Sequence, residues 1–219
     1  KRFYWYSKFN KYTQKVIENE KYVYFPLHRL PESSTYIKAP MYINELNLIE
    51  AISKSLPINC MLYVKEHQTM IGEREHKFYK HIRKLNNVKL VKSNLYNDPK
   101  KWIEKSEGVA TITGTSAFEA SMLNKPAIVF GDVFYNSISG IKKVNSFNDL
   151  ERLFKEMLNG NWTKNNTKDC ATYIKTVKEI PEIMFNKTNG ILIENPANFT
   201  EGCPPELDKL LEELYEKYH

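Results

Sequence analysis

The 219-residue sequence is poor in cysteine, and its three copies, Cys60, Cys170 and Cys203, lie far apart with no Cys-x-x-Cys spacing. That argues against a disulfide framework and against a zinc site, so a reducing cytoplasm is the expected setting. No cluster of His, Cys and Asp has ligand spacing, and neither a metal nor another cofactor is expected. No run approaches the roughly 18 apolar residues that a membrane-spanning helix needs. The opening Lys1-Arg2-Phe3-Tyr4-Trp5-Tyr6 lacks the apolar core and small-residue cleavage site of a signal peptide. The chain starts without Met and is therefore expected to be a piece of a longer protein. Internal repeats, low-complexity tracts and recognised nucleic-acid motifs are also missing, so nucleic acid is not an expected partner. Asn161-Trp162-Thr163 and Asn165-Asn166-Thr167 match the glycosylation pattern, but an Asn-rich composition produces such matches without secretion.

What remains is an ordinary globular composition, 42% hydrophobic and 26% charged, long enough to bury one sizeable core. The net charge is +6, with bases and acids interleaved as in Lys100-Lys101-Trp102-Ile103-Glu104-Lys105. Such a pattern reads first as a solvated helix face, and second as attraction to a phosphorylated ligand or an anionic membrane surface.

Residues 1–20 read as a polar helix or linker bearing aromatics, and residues 21–219 as one domain. Within it, short β-type runs alternate with helical spacing. The runs are Tyr22–Phe25, Met61–Val64, Val88–Val91, Val109–Ile112 and Ala127–Phe130. Between them, helices are expected from about Tyr42 to Leu56, from Glu73 to Leu85, from Asp98 to Lys105 and from Ser116 to Leu123. After Gly131 the character changes to helices, over 147–158, 168–185 and 206–218. Strands alternating with helices predict an α/β fold, a Rossmann-like parallel sheet with helices on both faces and helices at the C-terminal end.

In such sheets ligands bind at the carboxyl ends of the strands. The residues just past the expected strands are polar, small or titratable: His28, Arg29, Glu32, Ser33 and Ser34; Lys65, Glu66 and His67; Thr113, Gly114, Thr115, Ser116 and Glu119; Gly131 and Asp132. Thr113-Gly114-Thr115-Ser116 leads from a buried strand into a helix, where unpaired backbone N–H groups and hydroxyls would seat a phosphate. Ser116-Ala117-Phe118-Glu119 equally fits a capping box, a purely local role. His67 could donate to a phosphate oxygen or serve only as a structural histidine, and His28 is a weaker version of the same choice. His76 and His81, on a charged helix, are expected to face solvent.

Four stretches in this order resemble the bacterial capsule polysaccharide biosynthesis proteins. They are Tyr24-Phe25-Pro26-Leu27-His28 with Pro31-Glu32-Ser33-Ser34; Tyr63-Val64-Lys65-Glu66-His67; Thr111 through Ala120; and Asn124 through Tyr135. That family includes transferases of 3-deoxy-manno-octulosonic acid (Kdo) that use CMP-Kdo. The resemblance covers roughly residues 22–150 and implies one half of a GT-B fold, the C-terminal half that binds the donor. It implies that His67 contacts the donor phosphate, that Thr113, Thr115 and Ser116 line the phosphate site, and that Glu119 accepts from the ribose hydroxyls. Backbone near Phe130 and Gly131 would flank the base. His67 and Glu119 thus stand as candidate catalytic residues. His28, Lys65, Thr113, Gly114, Thr115, Ser116, Glu119 and Gly131 are the candidate nucleotide- and phosphate-binding residues.

The sequence departs from that family at His67-Gln68, where the pattern is His-Pro. The implied partners are a CMP- or UDP-linked sugar donor, a glycan or glycolipid acceptor and an absent N-terminal GT-B domain. Alone, the chain is expected to bind donor weakly and transfer little sugar. The implied location is cytoplasmic, with peripheral contact at the inner membrane. Two rivals stay open. A sugar-nucleotide 2-epimerase shares the fold, but shows Asp-Ser-Gly-Gly where this chain has Thr113-Gly114-Thr115-Ser116. A non-catalytic scaffold of a capsule assembly complex would not need the intact rim.

Overall fold

The computed structural model describes residues 2–92, 100–162 and 171–172. Helix α1 (Arg2–Asn10) leads to strand β1 (Tyr22–Pro26), which is followed by α2 (Ser33–Lys38) and α3 (Glu45–Ser55). Then come β2 (Met61–Lys65), α4 (His76–Ile82), β3 (Val88–Val91), α5 (Lys100–Glu104), β4 (Gly108–Thr111) and α6 (Ser116–Met122). The last elements among the described residues are β5 (Ala127–Val129), β6 (Ile141–Lys143) and α7 (Leu150–Leu158). The six strands form one sheet in the order β3-β2-β1-β4-β5-β6, and every pairing is parallel.

Alternation along the strands divides the core in two. Val23 and Phe25 of β1 point to one face with Leu62, Val64, Val88, Leu90, Ala110 and Ile128, under α3, α4 and α7. Tyr22 and Tyr24 point to the other with Tyr63, Val91, Val109, Ala127 and Val129, under α5 and α6. Because both faces are covered, the strands carry apolar residues almost continuously. The second face is aromatic: the Tyr22 and Tyr63 rings stack at 4.0 Å, and the Tyr22 hydroxyl donates to the Trp102 carbonyl at 2.8 Å. Burial pushes the Tyr22 hydroxyl up to about 12.

Local chemistry explains the helix limits. Asn44 caps α3, its side chain accepting from the Asn47 N–H at 3.2 Å, and Leu48, Ile49 and Ile52 turn inward at helical spacing. A capping box between Ser146 and Asp149 starts the short 3-10 turn that leads into α7. Leu150, Leu153, Phe154 and Met157 of α7 are buried. Helix α1 is held to the first core by Phe9, which meets Tyr79 edge-on at 5.2 Å.

Three features differ from the sequence expectation. A sixth strand, β6, forms at the sheet edge from Ile141-Lys142-Lys143, whose lysines give no apolar run. A short helix, α2, comes after β1. Helix α4 begins only at His76, because Gly72 turns the chain in the left-handed region (φ +97°) against the Trp5 ring. Helix α5 starts at Lys100; the expected start at Asp98 lies outside the described residues, as do Cys170, Cys203 and, apart from Ala171 and Thr172, the expected helices over 168–185 and 206–218. Cys60 is buried, and burial pushes its thiol up to about 12. Among the described residues no helix is long and apolar enough to cross a membrane.

Burial sets the expected response to truncation. Phe154 is 0% exposed and should cost about 3–5 kcal/mol as Phe154→Ala. Ile58, fully exposed, should stay within about 0.5 kcal/mol of wild type as Ile58→Ala. Urea unfolding of the two variants checks the placement, and equal midpoints would contradict it.

Candidate functional site

The strand order reverses between β1 and β4, and the crevice outside the carboxyl ends of the strands at such a reversal is the usual ligand position in an open α/β sheet. Of the residues singled out in the sequence, Lys65 ends β2, His28 and His67 follow β1 and β2, Thr113, Gly114 and Thr115 follow β4, Gly131 follows β5, and Ser116 and Glu119 lie within α6. They divide into groups engaged beneath the crevice and groups at its mouth.

Beneath it lies a buried polar network. Arg74, 7% exposed at its side chain, donates from Nη1 to Glu45 Oε2 at 2.6 Å and from Nε to Glu66 Oε2 at 2.9 Å. Its Nη2 donates to the His28 carbonyl at 3.1 Å. The second oxygens of the two carboxylates point the other way: Glu45 Oε1 accepts the His28 N–H and Glu66 Oε1 the His67 N–H, both at 2.8 Å. Tyr79 also donates to Glu66, at 2.8 Å. Burial opposes ionisation of Glu45, but the His28 hydrogen bonds and Arg74 outweigh it and hold its pKa below the usual carboxylate value. For Glu66 burial pushes the pKa up, against Arg74, Tyr79 and the His67 N–H, which pull it down.

His28 belongs to this buried layer. Its Nε2 accepts the Thr113 N–H at 3.2 Å, which places the ring proton on Nδ1, 3.5 Å from Glu45 Oε1. Both ring nitrogens therefore face protein groups, and His28 bridges the ends of β1 and β4. The Thr113 hydroxyl lies 3.2 Å from that of buried Thr35 in α2.

At the mouth, His67 is exposed. Its Nδ1 accepts from the Thr69 N–H at 3.3 Å and lies 2.8 Å from the Thr69 hydroxyl, so Nε2 carries the proton and is the outward donor. Thr69 thus orients the ring that a following proline does not constrain. Partial desolvation lowers the His67 pKa; Glu32 pulls it up, while Arg29, His28 and Arg74 push it further down.

The turn after β4 is half engaged internally. The Thr113 N–H is bound to His28 and the Gly114 N–H to the Thr111 hydroxyl at 3.3 Å, while Tyr135 donates to the Gly114 carbonyl at 2.5 Å. The helix cap is Thr115 rather than Ser116, and no capping box forms with Glu119. Instead the Thr115 hydroxyl donates to Glu119 Oε1 at 3.1 Å. Among the described residues Ser116 Oγ is buried without a hydrogen-bond partner, beside the space that a Gly114 side chain would occupy. An unsatisfied buried hydroxyl is costly, and a ligand oxygen would satisfy it. Half-buried Glu119 is near Tyr24 and Tyr135; burial first, and then its charge, raise both hydroxyls far above the usual tyrosine value. Gly131 is buried, and a side chain there would meet Thr113 Cγ2 at 2.5 Å, so the close approach of the β4 and β5 loops requires glycine. Lys65 is 7% exposed at the end of β2. His76 is exposed, whereas His81 pairs with Glu50.

Sequence reading missed Arg74, Glu45, Thr35 and Thr69. Only Thr69 had a signal, a hydroxyl two residues after His67, which suits a local turn. Arg74 stands in a charged stretch with nothing to mark it as buried.

No protein-family model matches the sequence, and no curated protein matches it. Among solved structures the chain is similar to UDP-GlcNAc 2-epimerase from Methanocaldococcus jannaschii, at 16% identity and a TM-score of 0.55, over 80% of this chain and 49% of that one. A second structure of that enzyme, in complex with UDP-GlcNAc and UDP, gives 18%, 0.50, and 80% and 48% coverage. The beta Kdo 2,7 transferase KpsC from Thermosulfurimonas dismutans gives 17%, 0.47, and 69% and 50% coverage. The chain thus spans about half the length of these structures. At such identities the likeness is one of fold alone: an α/β, Rossmann-like domain of the kind that makes up one half of a GT-B fold.

The His67 environment gives a direct test. With its pKa lowered, His67 is expected to be a neutral imidazole at pH 7, protonated on Nε2, and to gain its second proton only below the ordinary histidine range. An NMR titration of the ring Cε1–H signals, assigned with a His67→Gln variant, checks this. A midpoint at or above 6.5, the ordinary value, would overturn the assignment.

Proposed function

We propose that this chain is the donor-binding half of a GT-B glycosyltransferase of bacterial capsule or surface polysaccharide synthesis, and that its ligand is a nucleotide-activated sugar such as CMP-Kdo. The observation that carries this reading is the buried Ser116 Oγ, unpartnered among the described residues and close to the turn after β4, with the His67 Nε2 donor after β2 and the Glu119 carboxylate in α6. A phosphate calls for hydroxyl and N–H donors, and a ribose calls for a carboxylate acceptor. The donors stand on the turns after β2 and β4, and the carboxylate stands in the first turn of α6.

In this reading the His67 Nε2–H and the Thr115 and Ser116 hydroxyls bind the donor phosphates. Glu119 accepts from the ribose, and the backbone at Gly131 flanks the base. As the glycosidic bond to phosphate breaks, negative charge grows on the leaving nucleotide, and preorganised donors stabilise it more than they stabilise the ground state. His28 acts beneath the site as a brace. Acceptor binding and any general base would come from an N-terminal GT-B domain, with a glycan or glycolipid acceptor and peripheral contact at the inner membrane.

A second reading has one specific support, the fold likeness to UDP-GlcNAc 2-epimerase at a TM-score of 0.55. It would make the ligand a UDP-sugar and the reaction epimerisation at C2.

Calorimetric titration with CMP, UDP and GDP separates these readings. Binding that His67→Ala and Glu119→Ala each weaken by about 1–3 kcal/mol, with cooperative unfolding retained, supports the site. A CMP preference supports a Kdo-type donor. UDP preference together with conversion of UDP-GlcNAc to its C2 epimer without an acceptor supports the epimerase. Unchanged affinity in both variants defeats the assignment, and no binding at all by the folded chain favours the scaffold.

A further inference from the structure

Among the described residues Arg74 bonds to no side chain at the mouth of the crevice, yet the two carboxylates it holds each have one oxygen on the guanidinium and the other on a backbone N–H at the rim. On one side the path runs from Nε through Glu66 to the His67 N–H. On the other it runs from Nη1 through Glu45 to the His28 N–H, and from the His28 ring to the Thr113 N–H. Nη2 adds a bond to the His28 carbonyl. One planar fork therefore links the ends of β1, β2 and β4. The guanidinium lies over the Phe78 ring, its Cζ 4.5 Å from the ring centroid.

A buried ion network of this kind adds little to stability over an apolar replacement of the same shape. An apolar replacement would, however, abandon the two rim N–H groups that the carboxylates fix. Lysine would keep the charge but lose the fork geometry. The network thus has a geometric use that a hydrophobic core could not serve.

We propose that Arg74 is a positioning residue of the nucleotide site, which sets the spacing and aim of the His67 loop and of the Thr113–Ser116 turn through Glu66 and through Glu45 and His28. The proposal rests on the nucleotide-site reading above.

The test uses the full chain as Arg74→Lys, with Phe154→Ala as a control that loses stability away from the rim. Glu66→Gln is a second, nearly isosteric variant in case Arg74→Lys does not fold. Amide spectra and hydrogen exchange are read at His67 and Thr113, and nucleotide affinity is read by calorimetry with CMP and UDP. Arg74→Lys is expected to shift both amides and to weaken nucleotide binding on the order of tenfold or more. Glu66→Gln should shift the His67 amide, leave the Thr113 amide in place and weaken binding. Phe154→Ala should leave both amides and the affinity at wild-type values. Two outcomes overturn the proposal alone: wild-type amide positions in Arg74→Lys, or an affinity loss no larger than in Phe154→Ala. If Arg74→Lys does not fold, wild-type affinity in Glu66→Gln does the same. A folded wild-type protein that binds neither nucleotide, both as this chain and joined to its N-terminal domain, overturns the proposal together with the reading beneath it.

Discussion

The Arg74 guanidinium between Glu45 and Glu66 is the contact on which the order of the rim depends. All three side chains are 7% exposed or less, so each would be intolerable without the others. Removing one partner from such a group leaves an uncompensated charge in a poorly solvated place, at a cost of about 3–5 kcal/mol. Here the remaining lone pairs are also satisfied, by the His28 and His67 N–H groups and the Tyr79 hydroxyl. Charges that would disrupt a core thus become a rigid floor on which exposed groups can be aimed.

The sheet supplies that floor with its neighbours. The Cα register of β1 against β2 runs from Tyr22 with Met61 to Pro26 with Lys65, so the two strands end level and the loops after them start side by side. On the other flank, β1 pairs with β4 only at Val23 and Tyr24, and the strands then part. Crevice and floor are one geometric fact, because the strand ends that separate at the top are those that His28 ties together below.

Much of the fold was legible because buried parallel strands leave apolar runs, and Tyr22–Phe25, Met61–Val64, Val88–Val91, Val109–Ile112 and Ala127–Phe130 all became strands. Strand β6 was not legible, since Ile141-Lys142-Lys143 lies at an edge and needs only one apolar side chain. The position of a residue just past a strand marked it as a candidate for the site, but did not say what it does there. His28 and His67 look alike in sequence, each a histidine at such a position. One is buried and bridges two loops, the other is exposed and held by its Nδ1, and the partners that decide this, Glu45 and Thr113 against Thr69, are a matter of tertiary contact or of a local turn. Arg74 was invisible for the same reason: a charged residue among charged residues gives no periodic signal, and only the turn at Gly72 brings it inward.

The strand order has a kinetic side as well. β1, β2 and β3 are consecutive neighbours in space, and so are β4, β5 and β6, so each half of the sheet closes through short chain excursions. The seam between the halves joins partners such as His28 and Thr113, 85 residues apart, and closing it costs more chain entropy and comes later. The crevice lies on that seam. A molecule bound across it would hold the two half-sheets together by mass action, so that the last part of the fold to assemble is also the part a ligand stabilises most directly.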